Sequence, residues 1–307
     1  MSIQKLLLYL YPRIWRDRYG EEFLVVFASH PFSLFEGIDV IRGAFDAHLH
    51  PRLGTTALPA SERMRKMLST LRDSLLTIFC AYTGFIMAGM GFQKMTEDAA
   101  FQQAGQAVML VGLSFHLVVI GAVVALLTVL IGGLPIAVAV IRSALVRKRY
   151  RPVLWLSVPL LACAALLLTT WLVKAIDHPG VQPVWHLFLN RGTLLGVLIA
   201  AFITSAGALC QAVIHSEIPE KLLHFAVLPS ILVTFSMALI LAATLTWGLV
   251  LGEAAPQFFT GNGGLVGTST ISSWLGIVII MTMSTGLSTV SLLRGLSARF
   301  ALYNAAL

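Results

Sequence analysis

Six stretches of this chain run for about twenty residues or more with almost no charge, and that decides the solvent in which it folds. They are roughly 74–92, 105–131, 153–173, 193–214, 225–251 and 271–293. A helix rises about 1.5 Å per residue, so about 20 apolar residues cross the roughly 30 Å hydrocarbon core of a bilayer. Of the 307 residues, 57% are hydrophobic and 11% charged, whereas an average soluble domain has about 25% charged. No single water-soluble core could hide that much apolar surface. The expected fold is all-α: a polytopic α-helical membrane protein of about six transmembrane helices, with the lipid bilayer as its first partner.

The formal charge of +7 could suggest nucleic acid, but the cations flank apolar runs, which is the pattern of membrane topogenesis. Arg63, Arg65, Lys66 and Arg72 precede the first run. Arg142, Arg147, Lys148, Arg149 and Arg151 lie between the second and third, Lys221 between the fourth and fifth, and Arg294 and Arg299 after the sixth. The opposite side has Lys94, Lys174 and Arg191. Cations gather on the cytoplasmic side, so both termini are expected inside, in a bacterial cytoplasmic (inner) membrane. Trp171, Trp185, Trp247 and Trp274 then fall near the outer interface, as an aromatic belt. No nucleic-acid partner is expected.

Residues 1–54 read as a cytosolic amphipathic helical module, 55–72 as a linker and juxtamembrane basic segment, 73–293 as the six-helix domain and 294–307 as a cytosolic tail. In the module, Trp15, Tyr19, Phe23 and Val26 recur at helical spacing after Pro12, and Arg18 and Glu22 make an i,i+4 pair. Ser33-Leu34-Phe35-Glu36 has the form of a capping box opening a second helix, with Leu34, Ile38, Ile41, Phe45 and Leu49 on one face. From Gly105 to Val146 the chain is apolar almost throughout, broken by Gly132-Gly133-Leu134-Pro135. Too few residues separate Pro135 from Arg147 for another crossing. A kinked helix is expected, whose inner part leaves the bilayer or lies along its surface with Arg142 snorkelling.

The leader Leu10-Tyr11-Pro12-Arg13-Ile14-Trp15-Arg16-Asp17-Arg18-Tyr19-Gly20-Glu21-Glu22, with the later Arg42-Gly43-Ala44-Phe45-Asp46-Ala47-His48, resembles the N-terminus of uncharacterised bacterial multi-pass membrane proteins, some encoded beside PadR-type regulators. The leader is also similar to that preceding the first span of MacB- and FtsX-class permeases. In those permeases a large extracytoplasmic domain follows that span; here the loop is Gln93–Ala104. The resemblance covers about residues 7–53 and implies a shared cytosolic module.

Few residues suggest chemistry. His116 stands in the middle of the second run, and an intramembrane ionisable residue is a candidate site by default; otherwise it is a neutral imidazole bonded to a serine or carbonyl on a neighbouring helix. In the sixth run Thr282, Thr285 and Thr289 share one face and Ser284, Ser288 and Ser291 another, with Gly286 between. Thr285 and Ser288 would line a polar conduit or, on the preferred reading, pack helices closely. Gly196, Ala200, Thr204 and Ala208 form a similar small-residue stripe on the fourth run, read as packing.

Asp46, His48 and His50 could suggest metal, but on a helix the two histidines point apart and cannot share an ion; Asp177, His178 and His186 form a small polar site beside Lys174 and Arg191 or, equally, are solvated loop residues. Gly261–Gly264 with Gly267 reads as a flexible outer loop. Cys80, Cys163 and Cys210 each lie in an apolar run and form no Cys-x-x-Cys pair. No zincin or nucleophile-elbow motif is present and no carboxylate lies within a run, so neither an enzyme nor a cofactor or metal is expected. The function expected is a regulatory or signalling membrane protein whose module, with Trp15 and Tyr19 at its centre, docks a cytosolic partner. The alternative is a transporter or permease subunit moving a small solute. Homo-oligomers fit either reading.

Overall fold

The computed structural model describes residues 7–11, 13–28, 60–146, 151–176, 184–216, 218–268 and 270–306, with single positions between 37 and 47. Some of these, among them 184–191 and 301–306, are described by backbone alone. The described secondary structure is helical. In chain order the helices are α1 (Arg13–Ala28), α2 (Ala60–Thr96), α3 (Ala99–Ala107), α4 (Met109–Val146), α5 (Arg151–Ile176), α6 (Val184–Ile214), α7 (Glu220–Ala254), α8 (Gln257–Thr260) and α9 (Trp274–Ala306). Six of them, α2, α4, α5, α6, α7 and α9, are long and apolar enough to cross a membrane. The protein is an all-α, multi-pass membrane protein.

The second run begins later than the sequence indicated. Residues 99–107 form a separate short helix, α3, started by the Asp98 carboxylate accepting from the Ala100 N–H at 3.0 Å. An N-cap side chain of this kind satisfies a donor that the first turn leaves open. Through Pro135, α4 is one continuous helix, and no separate seventh span arises among the described residues.

The chain folds as two compact units, residues 1–125 with 226–307, and residues 126–225. In the first, the long helices bury heptad-spaced seams. On α2 the seam is Leu71, Ser74, Ile78, Ala81, Phe85, Ala88, Phe92 and Met95. On α9 it is Ile277, Met281, Ser284, Ser288, Ser291, Gly295 and Ala298. Alternating steps of three and four keep one stripe of each helix facing its partner. These two helices pack closely and antiparallel: Gly91 lies against Ile277, Gly84 against the Ser284 hydroxyl and Gly295 against Ser74. Small residues permit this approach, and in lipid close contact replaces the hydrophobic effect as the source of association. Within the paired region both helices have twenty residues without charge, 74–93 and 274–293, about 30 Å of rise and so one hydrocarbon thickness.

α4 and α7 complete this unit. Gly121 of α4 sits against Ile240 of α7, and Thr234 of α7 shares a 2.8 Å hydroxyl–hydroxyl hydrogen bond with Ser288 of α9. In the second unit α5 packs along α6. The side chains of α5 stay largely exposed, Leu160, Leu167 and Trp171 among them, as expected of a helix solvated by lipid.

The amino-terminal segment has a small core of its own. Leu7, Tyr11, Val40, Ala44 and Ala47 are buried together, with Trp15 and Phe23 packed against them. Val26, placed on the same face by its spacing, is instead exposed. Of the second predicted helix, the described packing residues Val40 and Ala44 stand one position before Ile41 and Phe45 of the stripe read in the sequence, and Ala47 midway between Phe45 and Leu49; Leu34, Ile38, Ile41, Phe45 and Leu49 lie outside the described residues, as do the capping box and the Arg18 side chain.

Candidate functional site

The interior of the first unit is a seam of hydroxyls closed at one end by aromatic rings. Ser74, Thr234, Thr244, Ser284, Thr285, Ser288 and Ser291 are all buried. Most such hydroxyls in this chain hydrogen-bond to the carbonyl one helical turn back, as Thr234 does to Ser230 at 2.9 Å, which hides their polarity from hydrocarbon. Ser288 is fully buried and meets Thr234. The Thr285, Thr244 and Ser74 hydroxyls are buried with no hydrogen-bond partner among the described residues. Thr282 and Thr289, which share a face with Thr285 in projection, are exposed, so the hydroxylated helix turns its serine face inward. The crevice among α2, α7 and α9, edged by Ser74, Ser230 and Ser291, presents an apolar surface. These hydroxyls stand in close helix–helix contact, with no carboxylate or cation among the buried residues described there.

One end of this unit is sealed by a layer the sequence did not announce. Trp247 is buried, 2% exposed, and packs edge-on against Phe92 with ring centres 5.1 Å apart and stacked with Phe101 at 5.8 Å. Phe259 joins both Phe101 and Trp247 and touches Trp274 at 5.7 Å. Trp247 was expected in an aromatic belt; its level along the helix fits one, but its ring faces inward because Phe101 of α3 and Phe259 of α8 cover it. Trp171 is exposed as a belt residue would be, and the Trp185 side chain lies outside the described residues. The only sequence signal for the layer was a clustering of Phe92, Phe101, Phe258 and Phe259 beside loops.

The glycine-rich segment carries defined backbone bonds among its described residues. Gly263 and Gly267 adopt positive φ of 68° and 93°, a conformation in which side chains other than glycine are strained. The Trp274 N–H donates to the Gly264 carbonyl at 2.9 Å and the Leu275 N–H to Leu265 at 3.2 Å. The Thr268 hydroxyl accepts from the Ile271 N–H at 3.0 Å. These bonds hold Phe258 and Phe259 over Phe101.

His116 does not join the seam. It is exposed on α4, and its Nδ1–H donates to the Gly112 carbonyl of its own helix at 2.7 Å. Because a carbonyl only accepts, Nδ1 carries the proton and Nε2 is left as the acceptor. Nor is it central: Phe115 faces the Phe92 ring at 6.4 Å, and Phe92 stands two residues before Lys94, whose ammonium pairs with Glu97 at 2.9 Å. The imidazole therefore sits near the polar end of the helix.

Trp15 and Tyr19 are brought together, with ring centres 5.4 Å apart. Trp15 also stacks on Tyr11 at 3.9 Å and meets Phe23 edge-on at 5.8 Å. Burial pushes the Tyr11 phenol above its ordinary range. On the outside of this cluster the Arg16 guanidinium lies 4.9 Å from the centre of the exposed Tyr9 ring. The predicted small-residue stripe of α6 divides: Ala208 is buried, while Gly196, Ala200 and Thr204 are exposed. Asp46, His48, His50, Asp177, His178 and the His186 side chain lie outside the described residues; among those described, no group of three metal-binding side chains forms. Comparison with protein families, curated proteins and solved structures finds no match for this chain.

Proposed function

We propose that this is a regulatory membrane protein of the bacterial cytoplasmic membrane, whose amino-terminal helical module docks a cytosolic protein partner. The supporting observation is that the module packs a core of its own. Tyr11, Trp15 and Phe23 gather on Leu7, Val40 and Ala44, while Tyr9 and Val25 remain 63% and 70% exposed. A segment that only tethered the spans would not need a stacked aromatic core, and large exposed apolar side chains on a small module are common in contact surfaces. Both termini inside is the orientation that the Lys and Arg distribution favours.

Solute transport is the weaker reading. The hydroxyl seam stands in close helix–helix contact, and His116 is exposed and bonded to its own helix. Neither feature favours a conduit.

The test is in-cell crosslinking of the full chain in its own host, with a photoreactive residue at position 9 or 25, in parallel with Val25→Asp. A single discrete protein adduct, lost with Val25→Asp while membrane levels hold, supports docking. Adducts only to lipid, or none, overturn it.

A further inference from the structure

α4 is longer than the membrane it crosses. From Met109 to Ile141 it has 33 residues without Asp, Glu, Lys or Arg, about 50 Å of rise. The paired α2 and α9 have only twenty such residues each over their shared length. Counting along α4 from Phe115, which lies level with Phe92, the twentieth residue on is Pro135. One hydrocarbon thickness is therefore used up where Gly132, Gly133 and Pro135 stand.

Beyond that point Leu134, Val138, Ile141 and Leu145 are exposed in one stripe at successive helical turns, while Val140 and Ala144 on the other face are buried. Arg142 is exposed beside the stripe, and Arg147, Lys148, Arg149 and Arg151 follow in sequence. We propose that residues 134–146 form a lipid-seated arm, hinged at Gly132–Pro135, whose tilt follows bilayer thickness.

The occupant of the exposed stripe is the acyl-chain region of the inner leaflet. An apolar stripe flanked by guanidinium groups is the chemistry that a phospholipid boundary satisfies, with chains against the leucines and phosphates against the cations. Pro135 cannot donate to the Ile131 carbonyl. A Cβ at Gly133 would meet nothing within 4 Å, so no neighbouring side chain crowds that face of the hinge. A thick bilayer draws the arm into line with α4; a thin one lays it along the surface. α2 and α9 cannot follow, because Asp73 and Arg294 end their uncharged stretches. The arm would give a regulatory protein a membrane input, and it stands whether or not the amino-terminal module docks a partner.

The experiment uses the full chain with Cys80, Cys163 and Cys210 replaced by serine and a spin label at Leu145→Cys or, as reference, Leu293→Cys. It is reconstituted into phosphatidylcholine–phosphatidylglycerol vesicles with 14-, 18- or 22-carbon monounsaturated chains. Depth is read from oxygen against nickel-chelate accessibility. The label at 145 is expected in lipid contact throughout, with its depth relative to 293 shifting by several ångström from thin to thick bilayers. Pro135→Ala should abolish the shift, and Ile141→Glu should lift position 145 into water while leaving 293 unchanged, which keeps the test decisive if the proline variant misfolds. A label at 145 in water in all three lipids, or a depth independent of chain length, overturns the proposal.

Discussion

The indole of Trp274 lies where a side chain on Gly248 would have to stand, and its Nε1–H reaches the Thr244 carbonyl at 3.4 Å. One ring thus locks the start of α9 onto α7 and closes the side of the aromatic layer. Gly248→Ala forces this ring out. Overpacking of a tight site costs about 1–3 kcal/mol, so the variant should lose thermal stability in detergent, with quenched or shifted tryptophan emission. Gly286→Ala, at a site with nothing within 4 Å, should be neutral within about 0.5 kcal/mol.

The Thr234–Ser288 hydroxyl pair is a direct link between α7 and α9. Interhelical hydrogen bonds in membranes average about 0.6 kcal/mol and reach about 1.7. A double-mutant cycle of Thr234→Val and Ser288→Ala, followed by equilibrium unfolding in mixed micelles, should return a coupling in that range. A coupling near zero would mean that the two hydroxyls gain nothing from each other.

His116 should be dispensable for the fold. Its ring bonds only to its own helix among the contacts described and lies exposed, so His116→Ala should change stability by less than about 0.5 kcal/mol. Nitrogen-15 shifts of the imidazole should report protonation at Nδ1 in the neutral form. The opposite tautomer would contradict the bond to Gly112.

Tyr11 gives the module an alkaline limit. Its phenol is held above the ordinary value of 10.0 by burial, so above pH 10 the unfolded chain releases this proton while the folded module keeps it. Stability from this group is complete below pH 10 and is lost as pH rises through the folded value. Near-ultraviolet circular dichroism of the module's aromatic signal should fade above pH 10, and Tyr11→Phe should flatten that part of the profile.

The spans were legible because hydropathy needs only local composition: each apolar run became a helix, and only ends moved, as at Gly105, where α3 intervenes. The inward serine face of α9 was one of two faces visible in projection, and burial decided between them. The aromatic layer was not legible. Phe101 and Trp247 are far apart in sequence, and their meeting depends on α3 folding back over the unit, which no periodicity reports. His116 stands nearer the Met109 end of α4 than its middle, because the apolar run read as ending near Ile131 continues to Val146 in one helix. Nor does hydropathy report the bonds that tie the Gly263–Gly267 loop and its flanks to Leu275 and Ile271.

The antiparallel lock of α2 on α9 also bears on biosynthesis. Because α2 precedes α9 in the chain, Ser74, Ala81 and Ala88 are made well before the surface on which they pack. A chain interrupted before Trp274 would leave that small-residue stripe without the α9 surface that covers it.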